Sequence, residues 1–113
     1  MITISIAKDF SRIPGARFPK EGDFSGEEFR KNVLLPNLKE AIKRKEKLRV
    51  VLDGTAGLGT SFLEEAFGGL IRVDGIQHDV IKQTLVLVSE EDDEYIEEIN
   101  QYIKEAYEQK NNR

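Results

Sequence analysis

The stretch that decides the fold is "LRVVLDGTAGLGTSFLEEAFGGL", residues 48–70. Val50, Val51 and Leu52 are contiguous rather than alternating with polar residues, the pattern of a central strand covered on both faces. Gly54, Gly57 and Gly59 punctuate the loop that follows, and Phe62, Ala66, Phe67 and Leu70 then recur at helical spacing to mount one apolar face. Ser61 and Glu64 stand three apart in the arrangement of a capping box. This predicts a helix whose positive end carries Thr60 and Ser61.

Outward from this stretch the chain alternates strands and helices. Ile2, Ile4 and Ile6 alternate with Thr3 and Ser5, as in a strand with one buried face. Residues 9–23 carry Pro14, Gly15, Pro19 and Gly22 and read as a loop, with "ARF" around Arg17 a candidate short edge strand. Ser25 and Glu28 form a first capping box and open a helix. In that helix Phe29 and Val33 define one face and Leu34, Leu38, Ala41 and Ile42 another, with Pro36 at the junction, so a kink or a break into two segments is expected. Residues 71–83 read as a loop, a short helix, or both in turn. "TLVLV", residues 84–88, is another apolar strand. Ser89 and Asp92 then introduce a long helix with Ile96, Ile99, Ile103 and Ala106 on one stripe. The alternation implies a parallel α/β sheet with helices packed on it. One domain is expected over residues 1–109, with residues 110–113 as a frayed tail.

Composition narrows the classes of function. At 113 residues and 39% hydrophobic content the chain supports one compact core. It has no cysteine, which removes disulfides, zinc-thiolate sites and a thiol nucleophile together. No apolar run approaches the roughly 18 residues of a membrane span and no signal-peptide pattern is present. A cytoplasmic protein without membrane partners is the expectation. The net charge of -4 argues against nucleic acid as a partner. The basic run "KRKEKLR" (residues 43–49) and the acidic run from Glu90 to Glu94 read as solvated helix ends of the sign the dipole prefers.

The glycine-rich loop fails as a nucleotide motif. Gly54 and Gly59 have P-loop spacing, but Thr60 stands where that motif needs lysine. Gly57 and Gly59 begin a dinucleotide fingerprint, yet Phe62 stands where its third glycine belongs. Ser61 lacks the flanking glycines of a nucleophile elbow, and His78 is the only histidine available to activate it. Asp53, Glu64 and Glu65 are read as loop- and helix-ordering carboxylates rather than an acid–base pair. No catalytic, cofactor-binding or metal-binding residue is assigned. The loop and helix start are read instead as a partner-docking surface made of Gly57, Leu58, Gly59, Thr60, Ser61, Glu64 and Glu65, continuing along the outer face of the helix to Leu70. A phosphate on Thr60 or Ser61 would be welcome to the helix dipole while repelling a docked partner. The alternative is a small anionic ligand or nucleotide bound at the same helix start.

Four motifs, "DFS" (9–11), "PGAR" (14–17), "SGEEFR" (25–30) and "SFLEEAFGGL" (61–70), together resemble the bacterial STAS-like domains of unknown function, relatives of anti-sigma factor antagonists. The resemblance spans residues 2–89. It implies a small, mixed, mostly parallel sheet flanked by helices and a regulatory, non-enzymatic signalling role. In the antagonists the loop after a central strand carries an Asp-Ser-Ser-Gly-type sequence. One serine there is phosphorylated by a partner kinase with the fold of histidine-kinase-like ATPases. The unphosphorylated antagonist binds that partner. By position the resemblance makes Thr60 and Ser61 the candidate phosphoacceptors and such an ATPase the candidate partner. "GLGTSF" differs from the pattern in lacking the acidic residue and the glycine after the serine, which puts docking ahead of phosphorylation as the expectation.

Overall fold

The computed structural model describes residues 1–111. Three short strands, β1 (Ile2–Ser5), β2 (Leu48–Val51) and β3 (Leu85–Val88), form one sheet in the order β1-β2-β3. Both pairings are parallel, so the sheet is wholly parallel rather than mixed. Ile2, Leu48 and Leu85 lie side by side, as do Ile4, Val50 and Leu87, and this row set faces the core. The opposite face carries Thr3, Arg49 and Val86, then Ser5, Val51 and Val88.

Thr3 and Arg49 are exposed, and Val51, Val86 and Val88 are half-exposed. This corrects the expectation of a central strand covered on both faces. The helices cover one face only, and Arg49 in the middle of "LRVVLD" is the residue that alternation assigns to the open side.

A single helical turn, α1 (Ile6–Asp9), continues directly from β1, capped by the Ser5 hydroxyl accepting from the Lys8 amide at 3.1 Å. Residues 12–18 form no strand, correcting the reading of "ARF". Instead the Ala16 and Arg17 carbonyls accept from the Gly26 and Glu27 amides at 2.8 and 3.1 Å, seating the loop on the next helix.

That helix, α2, is continuous over residues 26–44 and is not broken at Pro36. Its Ser25–Glu28 capping box forms as expected. Pro36 is accommodated because the turn before it, Arg30–Leu34, is π-helical, with the Leu35 amide reaching the Arg30 carbonyl. The wider turn inserts one residue of phase. Phe29, Leu34, Leu38 and Ala41 therefore share one buried face, although their spacing in the sequence suggested two.

A second continuous helix, α3, spans residues 60–72 and contains its own π-helical turn, Glu64–Gly68. A turn then leads into α4 (His78–Thr84), so the ambiguous segment is a loop and a short helix in succession. The last helix, α5 (Glu94–Asn111), buries Ile99, Ile103 and Ala106. It runs two residues beyond the expected boundary at 109; the remainder of the expected tail, residues 112–113, lies outside the described residues.

The core is one apolar cluster. Half-buried Phe10 packs from its margin onto the buried Phe29 and Phe62, with ring centroids 5.4 Å apart for Phe10–Phe29 and 5.8 Å for Phe29–Phe62. Aromatic pairs at these separations add about 0.5–1.5 kcal/mol each to their burial. The same contacts fix the loop after β1 against α2 and α3.

Candidate functional site

The loop of residues 53–59 leaves the carboxyl end of β2, where ligands and partners of parallel sheets are usually met. Asp53 orders it. Its Oδ1 accepts from the Glu90 and Glu91 amides, both at 2.9 Å, and so ties the exit of β2 to the exit of β3. The clasp is returned by the Gly54 amide, which donates to Glu91 Oε1 at 2.5 Å. Gly54 has φ +93°, the left-handed region, and adding a Cβ there would also bring it within 3.2 Å of the Ala7 side chain.

Further along, the Ala56 amide donates to the Arg12 carbonyl at 2.7 Å and the Leu58 amide to Tyr95 Oη at 3.3 Å. Alternate amides of the loop are therefore consumed inside the chain. Leu58 itself turns inward and is buried. What remains outside is a short rim: Gly57, Gly59, Thr60 and Ser61 are exposed.

Helix α3 begins at Thr60 with Gly59 as its cap and no side-chain capping bond. The Ser61–Glu64 capping box expected from the spacing does not form. Glu64 is drawn away by two guanidiniums: it accepts from Arg17 and, bidentately, from Arg72. Burial alone would raise the Glu64 carboxyl, but the hydrogen bonds from Arg17 and Arg72 outweigh it and hold it below its ordinary value of 4.5. The bond to Glu64 in turn raises Arg17.

Glu65 is buried and pairs with Arg30 through the carboxylate, while its carbonyl accepts from Arg30 Nη1 at 2.8 Å. Arg30, 1% exposed, also lies 3.0 Å through Nε from the Asp74 carboxylate. Glu64 and Glu65 thus serve neither a helix terminus nor a free surface; both join one ionic network.

That network explains the motifs. Arg17 comes from "PGAR", Arg30 from "SGEEFR", and Glu64, Glu65, Gly68 and Gly69 from "SFLEEAFGGL". Gly69 is where the Arg30 side chain crosses α3: a Cβ there would lie 2.9 Å from Arg30 Cζ. Gly26 lets α2 approach α3, since its Cβ would come within 2.6 Å of the Phe62 carbonyl oxygen. From "DFS", Phe10 enters the aromatic cluster and Asp9 Oδ2 accepts from the Ser5 amide at 2.7 Å. The four motifs converge in space on one piece of architecture beneath the rim.

Of the seven residues expected to dock a partner, Leu58 and Glu65 are buried and are corrected here to structural roles. The same holds for the outer face of α3, because residues 65–71 are all buried between neighbouring elements. Thr60 and Ser61 are the first two residues of the helix and are exposed, with Gly57 and Gly59 beside them and Glu64 half-buried at the margin.

His78 is not near them. Its ring stacks on Tyr107 at 4.4 Å, and Tyr107 is twelve residues, about 18 Å at 1.5 Å per residue, along α5 from the Tyr95 that touches the loop. A Ser61–His78 nucleophile pair is excluded by that separation. Among the described residues no group of three or more His, Cys, Asp or Glu side chains is placed to hold a metal ion. No described helix is long and apolar enough to cross a membrane.

Sequence reasoning missed Tyr95, Arg12 and Arg30. Arg30, flanked by Glu27, Glu28, Lys31 and Asn32, reads in the sequence as one more exposed charge.

No curated protein and no solved structure matches the chain. A family model does, described as a STAS-like domain of unknown function (DUF4325) and covering residues 25–95. The match takes in α2, the sheet from β2 onward, the rim and α3, while "DFS" and "PGAR" lie upstream of it. By this match, over more than half its length and with a small parallel sheet flanked by helices, the chain belongs to the STAS-like domain family of unknown function.

Proposed function

We propose that this STAS-like domain is a non-catalytic regulatory module that docks a protein partner on the rim formed by Gly57, Gly59, Thr60 and Ser61, with Glu64 at its edge. The observation that carries the reading is a loop that is both exposed and held: its tips face solvent, while Asp53, Glu91, Arg12 and Tyr95 fix its backbone from below. Preorganised exposed backbone of this kind loses little entropy on association. A histidine-kinase-like ATPase is the partner class carried over from the relatives of the family, and Thr60 and Ser61 are the candidate phosphoacceptors.

A phosphate at either hydroxyl would add about two negative charges to the exposed rim. Such a modification would repel a partner without unfolding the helix, whose positive end accepts the charge. The test is affinity purification of the native protein followed by mass spectrometry. A stoichiometric partner is expected with the wild type and lost with the Thr60→Glu/Ser61→Glu variant, while recovery indifferent to those substitutions refutes the rim. Incubation of the complex with ATP and measurement of intact mass tests phosphorylation separately; no mass increase restricts the rim to docking.

A second reading, an anionic ligand at the start of α3, draws on Gly59 leaving the first amides without a side-chain cap. The Glu91 carboxylate, which already occupies the Gly54 amide at the base of the same loop, opposes it. Thermal shift against a nucleotide panel decides: a ligand at 100 times its Kd adds about 2.7 kcal/mol of stability, and a flat panel rejects the reading.

A further inference from the structure

Edge strands are where sheets recruit further strands, and the two edges of this sheet are finished differently. β1 places Thr3 and Ser5 among its isoleucines and is turned into α1 with the Ser5 amide held by Asp9. β3 reads Leu-Val-Leu-Val, carries no charge, proline or bulge, and is half-exposed along its whole length. The Leu52 amide donates to the Val88 carbonyl at 2.8 Å. In a parallel ladder this turns the backbone groups of Val86 and Val88 toward β2 and those of Leu87 outward, away from the sheet. Beside this edge lies a groove of about 640 Å³ between β3, α4 and α5, lined by apolar Ile81, Leu85, Leu87, Ile96 and Ile103 and also by Lys82, Lys104 and Glu108. An extended segment is the occupant that satisfies the outward amide and carbonyl while filling such a groove.

The charges along the edge specify which segment. Lys82 precedes β3, and the Lys47 ammonium reaches the Gln83 carbonyl at the strand's start. Glu90, Glu91, Asp92 and Asp93 follow its end. An antiparallel neighbour with the same polarity brings basic ends onto acidic ones, twice, whereas a parallel neighbour sets like charges together.

We propose that the neighbour is a second copy of this chain. β3 pairs with the partner's β3 about a two-fold axis at Leu87, making a six-stranded sheet whose two grooves close on each other. Leu87 N–H then donates to the carbonyl of the partner's Leu87, and the reverse. The carboxyl end of α4, which carries Lys82, is then brought toward the partner's acidic run that follows β3. The interface is isologous, as closed dimers require. It is independent of the docking rim, which lies at the end of β2.

Sedimentation equilibrium at low salt over about 10–500 µM tests this, since dimerisation follows mass action. The expected mass rises toward twice the 12.9 kDa of the chain. Lys82→Glu and Glu90→Lys, both at exposed positions, each weaken association about tenfold, and combining them restores it. Hydrogen exchange shows the Leu87 amide protected in the dimer and fast at dilutions where the monomer dominates. A single-chain mass at the highest concentration overturns the proposal and leaves the edge to a different strand. A dimer indifferent to both charge reversals, or one in which the Leu87 amide exchanges freely, overturns it equally.

Discussion

Replacing Gly69 with alanine inverts an ordinary rule. In a helix interior Gly→Ala gains about 1 kcal/mol from propensity alone. At position 69 the new Cβ would lie 2.9 Å from Cζ and 3.0 Å from Cδ of Arg30, with Nη1 closer still. Arg30 cannot swing aside without cost, because it is fully buried and bound to the Glu65 carboxylate and carbonyl and to Asp74. Overpacking of this kind costs about 1–3 kcal/mol, and dislodging one partner of a buried ion pair about 3–5. After the propensity gain, a net loss of about 3 kcal/mol is expected, a fall in Tm on the order of 10 °C for a chain of this size.

Gly68→Ala is the control. Its Cβ would meet only the ends of flexible side chains, Glu64 Oε2 at 2.7 Å and Arg72 Nη1 at 3.4 Å, so it stays within about 1 kcal/mol of wild type. In an Arg30→Ala background Gly69→Ala recovers its usual sign, because the two positions are coupled only through the crossing side chain. Urea denaturation followed by circular dichroism, with m unchanged, reads all four variants. A wild-type background in which Gly69→Ala stabilises the protein refutes the crossing of Arg30 over α3.

Three further outcomes follow from local geometry. Lys45 ends α2 in the left-handed region at φ 57°, where a side chain costs about 1–2 kcal/mol, so Lys45→Gly raises stability by about 1 kcal/mol in the same urea assay. The folded-state Glu64 carboxyl lies below its unfolded value of 4.5. Its contribution is therefore fully present above that value and lost as pH falls through the folded one. Denaturation measured at a series of pH values from about 6 downward should show a steeper acid loss for wild type than for Glu64→Gln, and parallel curves contradict the pairing with Arg17 and Arg72. Asp53→Ala removes acceptors from the Glu90 and Glu91 amides, costing about 2 kcal/mol. It accelerates hydrogen exchange at Glu90 and Glu91, while unchanged exchange there rules out the clasp between the ends of β2 and β3.

Strand positions and helix order were legible because apolar runs and periods mark elements, although contiguity overstated burial at Val51, Val86 and Val88. What escaped was decided by distant partners. The two S-x-x-E patterns, Ser25/Glu28 and Ser61/Glu64, are alike in sequence, yet only the first forms a capping box. Glu64 is claimed by Arg17, 47 residues upstream, and by Arg72. The apparent change of face in α2 came from reading a strict 3.6-residue period through a π-helical turn. The rim at Thr60 and Ser61 was visible as a helix start after a glycine-rich loop, but Leu58 and Glu65 were indistinguishable from exposed neighbours until Tyr95 and Arg30 were in place. The glycine pair at 68 and 69, unfavourable within a helix, was the one local sign that another chain segment passes close by.

The most direct test of the docking rim is a hydrogen-exchange footprint of the domain with the partner recovered by purification. The account predicts slowed exchange at the amides of residues 57–61 on binding, and its loss, together with binding, in Thr60→Glu/Ser61→Glu. A footprint that leaves residues 57–61 unchanged and falls elsewhere contradicts it.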